Sequence, residues 1–171
     1  MAAVSFLEDR VSFGPAVPAA VNRRLQMAVE ARTRNRYESE KLLWEARAED
    51  PTCLPVYFAL YKFYANSKKF EAAERAALLA LAEASRQGGF PQDWAALSRE
   101  PGVWPLYDSP AGLFYLFSLK ALSFIKLRRG FGVEARDLLG HLGRLDPEDR
   151  SGGSVIRTLA DSLDEEAEDE A

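Results

Sequence analysis

Residues 70–80 read Phe-Glu-Ala-Ala-Glu-Arg-Ala-Ala-Leu-Leu-Ala, and this stretch decides the class of fold. Alanine and leucine are the strongest helix formers, so the stretch predicts a helix that continues to the Gly88-Gly89 break. Related strings stand at 37–46, Tyr-Glu-Ser-Glu-Lys-Leu-Leu-Trp-Glu-Ala, and at 130–139, Gly-Phe-Gly-Val-Glu-Ala-Arg-Asp-Leu-Leu. The chain therefore carries an internal repeat of helical segments.

Apolar residues recur at helical spacing along most of the chain, with Gly, Pro or Asn between the segments. The pattern predicts seven main helices, at about 17–32, 37–48, 54–65, 69–86, 110–129, 133–145 and 154–163, and a short one near 91–97. No segment alternates apolar and polar residues between turn signals, as a half-buried strand does. The sequence therefore predicts an all-α fold.

The repeated strings resemble the second helix of the tetratricopeptide repeat, a helix–turn–helix unit of about 34 residues. Small residues stand where the two helices of that repeat cross, namely Ser39, Ala46, Ala73, Ala80 and Ala135. Pro51 and Pro147 match its terminal proline, and Tyr57, Leu60 and Tyr64 match the aromatic–leucine–aromatic spacing of its first helix. The chain resembles a small bacterial member of this family. The resemblance implies a right-handed superhelix of about three hairpins plus a C-terminal capping helix.

The same resemblance divides the chain into one domain with two flanking segments. Repeats are expected at about 20–53, 54–87 and 116–149, an aromatic and proline-rich insert at 88–111, and the capping helix at about 154–163. Residues 1–16 are predicted to form an N-terminal arm before the domain at 17–165. Six of the last eight residues are acidic, so 164–171 is predicted to be an acidic, disordered tail.

Two tryptophans, Trp94 and Trp104, give the insert two interpretations. Large aromatic side chains most often cover core, and they also anchor partners when they lie on an exposed edge. A loop of this length in a compact domain usually has structure or function of its own. The sequence leaves both interpretations open.

Charge and rare residues argue against several function classes. The formal net charge is −4, whereas a nucleic-acid binder concentrates Lys and Arg on one face. The single cysteine, Cys53, allows no internal disulfide, and the single histidine, His141, supplies no His/Cys metal cluster. The spacing around His141 suggests no catalytic triad. We therefore expect no nucleic-acid partner, no metal, no cofactor and no enzymatic activity.

The most apolar run, residues 113–127, is shorter than the 18–20 residues that a membrane span requires, and it contains Lys120 and Lys126. The first residues lack the basic and long apolar regions of a secretory signal. We therefore expect a cytoplasmic protein without a membrane partner. A helix that is apolar on nearly every side must be covered all round. Burial inside the stack and self-association into a homodimer both satisfy this requirement.

The resemblance implies a concave wall, formed by the first helix of each pair, that holds a segment of another protein. The predicted groove residues are Arg24, Phe58, Lys62, Phe117, Lys120, Phe124 and Arg128, with Trp94 and Trp104 at the rim and Arg32 and Asn66 at further groove-facing positions. Burial of Phe117 and Phe124 as core between hairpins is the alternative. Relatives that bind a chaperone's C-terminal carboxylate use Lys, Asn and Arg, whereas this chain has Arg24, Ala28, Ala59, Phe117 and Ala121 at the corresponding places.

These features predict a protein-interaction scaffold, an adaptor or assembly factor that binds a partner protein or peptide segment by apolar anchors and edge cations. Two alternatives share the fold. One is a dedicated chaperone of a bacterial secretion system, and the other is an accessory factor in nitrogen fixation or metallocluster assembly. The sequence identifies no particular partner.

Overall fold

The computed structural model describes residues 17–170. The predicted N-terminal arm at 1–16 lies outside the described residues, as does Ala171. The helices are α1 (Ala19–Ala31), α2 (Arg36–Glu49), α3 (Leu54–Asn66), α4 (Phe70–Gly88), α5 (Trp94–Arg99), α6 (Pro110–Arg128), α7 (Gly132–Leu145) and α8 (Gly153–Asp169), with one 3-10 turn, Leu106–Asp108, before α6. Residues 17–170 contain no strand, and the predicted all-α class is confirmed.

Helices that follow each other in the chain pack as pairs. α1 packs on α2, α3 on α4, and α6 on α7, and the turns that join them are short, so each pair is an antiparallel hairpin. α2 also contacts α3, and α4 makes its most extensive contact with α6. α8 lies against both α7 and α6. The hairpins therefore form a continuous row in chain order.

Small residues on the second helix of each pair are buried. Ala46, Ala73, Ala80 and Ala135 are all fully buried. Ser39 is buried as well, and its hydroxyl donates a 2.7 Å hydrogen bond to the Ala28 carbonyl of the neighbouring helix. A small side chain at each of these positions allows close packing without a void.

Local signals begin and end the helices. Asn35 accepts a hydrogen bond from the Glu38 amide at the start of α2, and Ser109 accepts one from the Gly112 amide at the start of α6. Both are N-caps that pair an otherwise unpaired amide. Gly89 ends α4 with a φ of 68°, a left-handed conformation that glycine adopts without strain.

The C-terminal helix is longer than predicted. α8 includes residues 164–169, which the sequence analysis assigned to a disordered tail. Glu and Ala favour helix, and neither Gly nor Pro interrupts the segment. Arg136 on α7 also binds the Asp161 carboxylate at 3.0 Å and pairs with Asp164, so the last turns are tied to the hairpin before them.

The insert covers the sides of α6 and α7, which supports the first of its two interpretations. Leu97 and Leu106 are buried, and Trp94 and Trp104 are half-buried against the core. α5 packs on α7, and the 3-10 turn packs on α6. The short helix predicted near 91–97 is present as α5.

Close backbone contact positions the 3-10 turn on α6. A Cβ atom at Gly112 would lie 2.1 Å from the Leu106 carbonyl oxygen, so only glycine fits there. The Tyr107 hydroxyl donates to the Asp146 carboxylate at the end of α7. Burial raises the pKa of Tyr107, the bond to Asp146 raises it further, and the pKa reaches about 12.

Among the described helices, only α6 is long and apolar enough to span a membrane. The mean hydropathy of its most apolar 18-residue window is 1.3. Of that window, 67% is buried inside the protein. Contacts with α4, α7, α8 and the 3-10 turn account for this burial. Core helices pass the same composition test, so the apolar character of α6 matches its central position.

Candidate binding cleft

A cleft of about 180 Å³ opens between α1 and α3, with α2 below it. Its lining residues are Leu25, Ala28, Val29, Arg32, Ser39, Leu43, Ala59, Lys62, Phe63 and Asn66. Ligand pockets for cofactors or drug-sized molecules usually measure about 300–1,000 Å³. The smaller volume here fits an anchoring side chain of a peptide better than a cofactor.

Apolar side chains form most of the cleft lining, referred to below as its floor, and two of them are short. Ala28 on α1 and Ala59 on α3 leave space that longer side chains would fill, and Leu43 and Phe63 line the cleft as well. Val29 stands at the edge and is 58% exposed. An apolar side chain that entered the cleft would exchange water for carbon contacts on several sides.

Cationic side chains stand at the opening. Arg32 and Lys62 both line the cleft, and its described lining contains no Asp or Glu. The Lys62 ammonium lies 5.6 Å from the centre of the Phe58 ring, a cation–π distance that holds the side chain along α3. A low-dielectric cleft with charge of one sign concentrates an attractive potential for anions.

Among the predicted groove residues, the structure places Lys62 in the cleft, together with Arg32 and Asn66, and Phe58 beside it. Arg24 lies elsewhere, since its guanidinium donates to Glu45 at 3.0 Å and to Glu49 at 3.3 Å. These ion pairs join α1 to α2. Neither Glu45 nor Glu49 was predicted as a partner of Arg24.

The α6 residues of the predicted groove are not among those that line the cleft. Lys120 is only 4% exposed, and its ammonium lies close to Gly152 before α8. Phe117 is half-buried against the core. Both side chains therefore contribute to packing around α6, in line with the core alternative for Phe117.

Phe124 and Arg128 gather around an aromatic ring of α4. The Phe124 ring meets the Phe70 ring edge to face at 6.4 Å, and the Arg128 guanidinium lies 5.3 Å from the centre of the same ring. The cluster joins the start of α4 to the end of α6. Trp94 and Trp104 lie with the insert on α6 and α7, and neither lines the cleft.

The apolar lining of the cleft escaped the sequence analysis, although a signal for it existed. The resemblance to the tetratricopeptide repeat placed Ala28 and Ala59 at two positions of a polar carboxylate clamp. In the structure, both alanines line the gap between α1 and α3. The two small residues were a sequence signal for the cleft. The presence of Leu43 and Phe63 beside them could not be predicted, because it depends on how the helices pack.

The structure also brings together a serine, a histidine and an aspartate that the sequence analysis did not connect. The Ser98 hydroxyl lies 2.6 Å from Nδ1 of His141, and Nε2 of His141 lies 3.5 Å from the Asp137 carboxylate. Arg144 donates to the same Nδ1 at 2.9 Å. Ser98 is buried where α5 packs on α7, and neither described cleft reaches it. The geometry fits a contact that fastens the insert better than an acyl-transfer site, which needs oxyanion donors and room for a substrate.

Asp146 and Cys53 are two further polar residues that could belong to a functional site. A second cleft of about 150 Å³ at the α7–α8 turn includes Asp146, which accepts hydrogen bonds from the Ser151 amide and hydroxyl. Burial raises the pKa of the Cys53 thiol, which disfavours the reactive thiolate. Within the described residues, no group of three or more His, Cys, Asp or Glu side chains is arranged to hold a metal ion.

Comparison with known proteins does not place the chain in a family. No family model matches it, and neither a curated protein nor a solved structure shows significant similarity.

Proposed function

We propose that the protein is a scaffold of tetratricopeptide-like hairpins that binds an extended segment of another protein in the α1–α3 cleft. The observation that carries the proposal is the cleft itself, an apolar floor with Arg32 and Lys62 at its opening and no carboxylate in its described lining. Its preferred ligand is a peptide with an apolar anchor next to acidic residues. Apolar anchors supply most of the affinity of such contacts, and the cations mainly steer encounter.

The hairpin order and the fully buried alanines support the repeat architecture in this proposal. In tetratricopeptide-like stacks the first helices line the concave side, which is the position that α1 and α3 take in their hairpins. In the proposed architecture, successive hairpins are also rotated relative to each other, so that the row forms a superhelix. An experimental structure checks this part directly, and a flat or reversed stacking of the hairpins contradicts it.

The binding role is tested with a charge introduced at the edge of the cleft. Val29→Glu places a carboxylate beside the apolar floor, and it disturbs the core little because Val29 is 58% exposed. Val133→Glu is the matched control, since Val133 is exposed on α7 and does not line the cleft. Wild-type and variant proteins, each confirmed as folded by circular dichroism, are screened against a peptide library and used for affinity purification from the native host.

We expect peptides with apolar and acidic residues to bind the wild type and the Val133→Glu protein, and not the Val29→Glu protein. Proteins recovered from the host should show the same dependence. Equal recovery by all three proteins places the interaction on another surface. Peptide preferences that lack an apolar anchor contradict the proposed chemistry.

A further inference from the structure

The turns of the first two hairpins lie at the same edge of the row and are rich in basic residues. Short turns join α1 to α2, α2 to α3 and α3 to α4, so the chain reverses at each one and the α1–α2 and α3–α4 turns lie on one side. Residues 32–36 contain three arginines and residues 68–69 are two lysines, with no acidic residue in either stretch. Arg34, Lys68 and Lys69 are exposed, and no described residue forms an ion pair with them. These two turns are called the cationic edge below.

The cleft between α1 and α3 extends to the cationic edge. Arg32 directly follows α1 and Asn66 is the last residue of α3, and both line the cleft. The apolar lining and the cationic turns are therefore continuous. A single ligand segment can place an apolar side chain in the cleft while its carboxylates face the cations beside it.

The end of α8 has the complementary chemistry. Seven of the ten residues 161–170 are acidic, and all ten are exposed. Ile156 and Ala160 form a buried apolar stripe along α8, whereas Leu163, the next residue of this stripe, is 41% exposed. An exposed apolar side chain with acidic neighbours is the chemistry that we proposed for a ligand of the cleft.

α8 does not reach the cleft of its own molecule. Arg136 on α7 binds Asp161 and pairs with Asp164, so this part of α8 is held on α7. α8 contacts α6 and α7, and α6 in turn contacts α3, which is a wall of the cleft. Packed helices lie about 8–10 Å apart, so the cleft is roughly 20 Å away from α8. A second copy of the chain can supply the acidic helix end instead.

The cationic edge and the end of α8 lie on the same side of the molecule. Phe70, at the start of α4, contacts Phe124 and Arg128 near the end of α6, so the α6–α7 turn lies beside the α3–α4 turn. α8 runs back along α7, because Arg136 near the start of α7 pairs with Asp164 near the end of α8. One side of the molecule is therefore cationic at its α1–α4 end and acidic at its α8 end. A two-fold axis between these ends places the acidic end of each copy against the cationic end of the other.

We propose that two copies of the chain form a dimer in which the end of α8 of each copy binds the cationic edge of the other, with Leu163 in the cleft. The contact rests on the proposed peptide-binding role of the cleft, and it makes the acidic helix of the chain itself a ligand. An interface built from one helix end on each side is small, so the dimer is weak and forms at high protein concentration and low salt. An external partner competes with the second copy for the cleft, and its apparent affinity falls with the fraction of molecules in the dimer.

Charge reversal on each surface tests the contact by sedimentation equilibrium of the full chain at low salt. Arg34→Glu/Lys69→Glu reverses the cationic edge, and Glu165→Lys/Glu166→Lys reverses the end of α8. All four side chains are exposed, so both variants should fold. We expect the wild type to dimerise, and each variant alone to associate at least about tenfold more weakly, because like charges then face each other. An equimolar mixture of the two variants should regain the association, because opposite charges face each other again.

Glu100→Lys/Asp108→Lys is the matched control, since it changes the net charge by the same amount at two exposed residues of the insert. It should dimerise like the wild type. A control that associates as weakly as the α8 variant overturns the inference, because net charge then accounts for the loss. A wild type that stays monomeric at millimolar concentration, or a mixture of the reversed variants that stays monomeric, overturns it as well.

Val29→Glu separates this inference from the proposed function. A carboxylate at the edge of the cleft should weaken both the dimer and the binding of separate peptides, which is measured at concentrations at which the protein is monomeric. A monomeric wild type whose peptide binding is lost on Val29→Glu overturns the dimer and leaves the cleft as a peptide site. A dimer that Val29→Glu does not weaken contradicts the position of Leu163 in the cleft. Peptide binding that Val29→Glu does not weaken contradicts the proposed function itself.

Discussion

Replacing Glu74 with glutamine tests how the middle hairpin is joined to the last one. Glu74 on α4 has a side chain that is 12% exposed, and its carboxylate pairs with Lys126 at 2.6 Å and with Arg129, both near the end of α6. Lys126 also binds Glu134 on α7 at 2.8 Å. One carboxylate therefore links two charged side chains at the contact between α4 and α6.

The expected cost follows from these partners. Hydrogen bonds to charged groups contribute about 1.5–3 kcal/mol each when buried. Here Lys126 keeps its bond to Glu134, and Arg129 is 27% exposed and can turn to water. We therefore expect Glu74→Gln to lower the free energy of unfolding by about 2 kcal/mol. For a protein of this size that corresponds to a fall in melting temperature of roughly 4–8 °C.

The stability difference between wild type and Glu74→Gln should become smaller as the pH falls. Burial alone raises the pKa of the Glu74 carboxyl, but the hydrogen bonds from Lys126 and Arg129 outweigh it, so the pKa lies below its usual value. A carboxyl whose pKa is lower in the folded state stabilises the protein above its unfolded pKa, about 4.3, and this contribution is lost as the pH falls through the folded pKa. The difference between wild type and Glu74→Gln should therefore be full at pH 7 and shrink below about pH 4.

Urea unfolding followed by far-ultraviolet circular dichroism measures both effects at pH 7 and pH 3. Glu71→Gln is the control, because Glu71 forms an exposed pair with Arg75 on the same helix. Exposed pairs within a helix contribute about 0.3–0.5 kcal/mol. A Glu74→Gln protein as stable as the Glu71→Gln protein, or a deficit that stays the same at pH 3, refutes the reasoning.

Three further outcomes are expected. Ala73→Leu should overpack the fully buried contact of its hairpin and lower the free energy of unfolding by about 1–3 kcal/mol, as measured with urea. Ala48→Leu, on the exposed side of α2, is the control and should lower it little. Similar losses for both variants contradict the assigned packing. Deletion of residues 165–171 should change the melting temperature by less than about 2 °C, since the described part is exposed and acidic residues oppose the helix dipole at a C-terminus; a larger drop shows that this end supports the fold. Lys62→Ala should reduce the association rate of an acidic partner peptide, and less so at high salt, with little change in dissociation, as measured by stopped-flow fluorescence. If the association rate falls by the same factor at low and high salt, or if only the dissociation rate changes, Lys62 does not steer the encounter.

The positions of the helices could be predicted because their signals are local. The Ala-Leu composition of 70–80, the Gly88-Gly89 break and the cap at Ser109 act within a few residues of themselves. Burial of Ala73 and Ala80 follows from helical periodicity in the same way. The end of α8 was misjudged because an acidic composition was interpreted as disorder, although Glu and Ala are good helix formers.

Residues of the candidate site were harder to predict, because a position on a helix does not determine what a side chain contacts. Arg24 and Lys62 were both predicted to face the groove. Arg24 pairs with Glu45 and Glu49 across the hairpin, whereas Lys62 lies over Phe58 and lines the cleft. Charged side chains are long, and the nearest counter-charge in space decides where they go.

The sequence by itself determined that the chain forms helices, where most of them begin and end, and which small residues lie at their crossings. Only the tertiary structure decided that Ala28 and Ala59 face each other across an open cleft, that Lys120 is buried near α8, and that the insert lies on α6 and α7. Helix formation depends on neighbours three or four residues away. A cleft depends instead on the absence of side chains between helices that lie about thirty residues apart in the chain, and no local pattern records that absence.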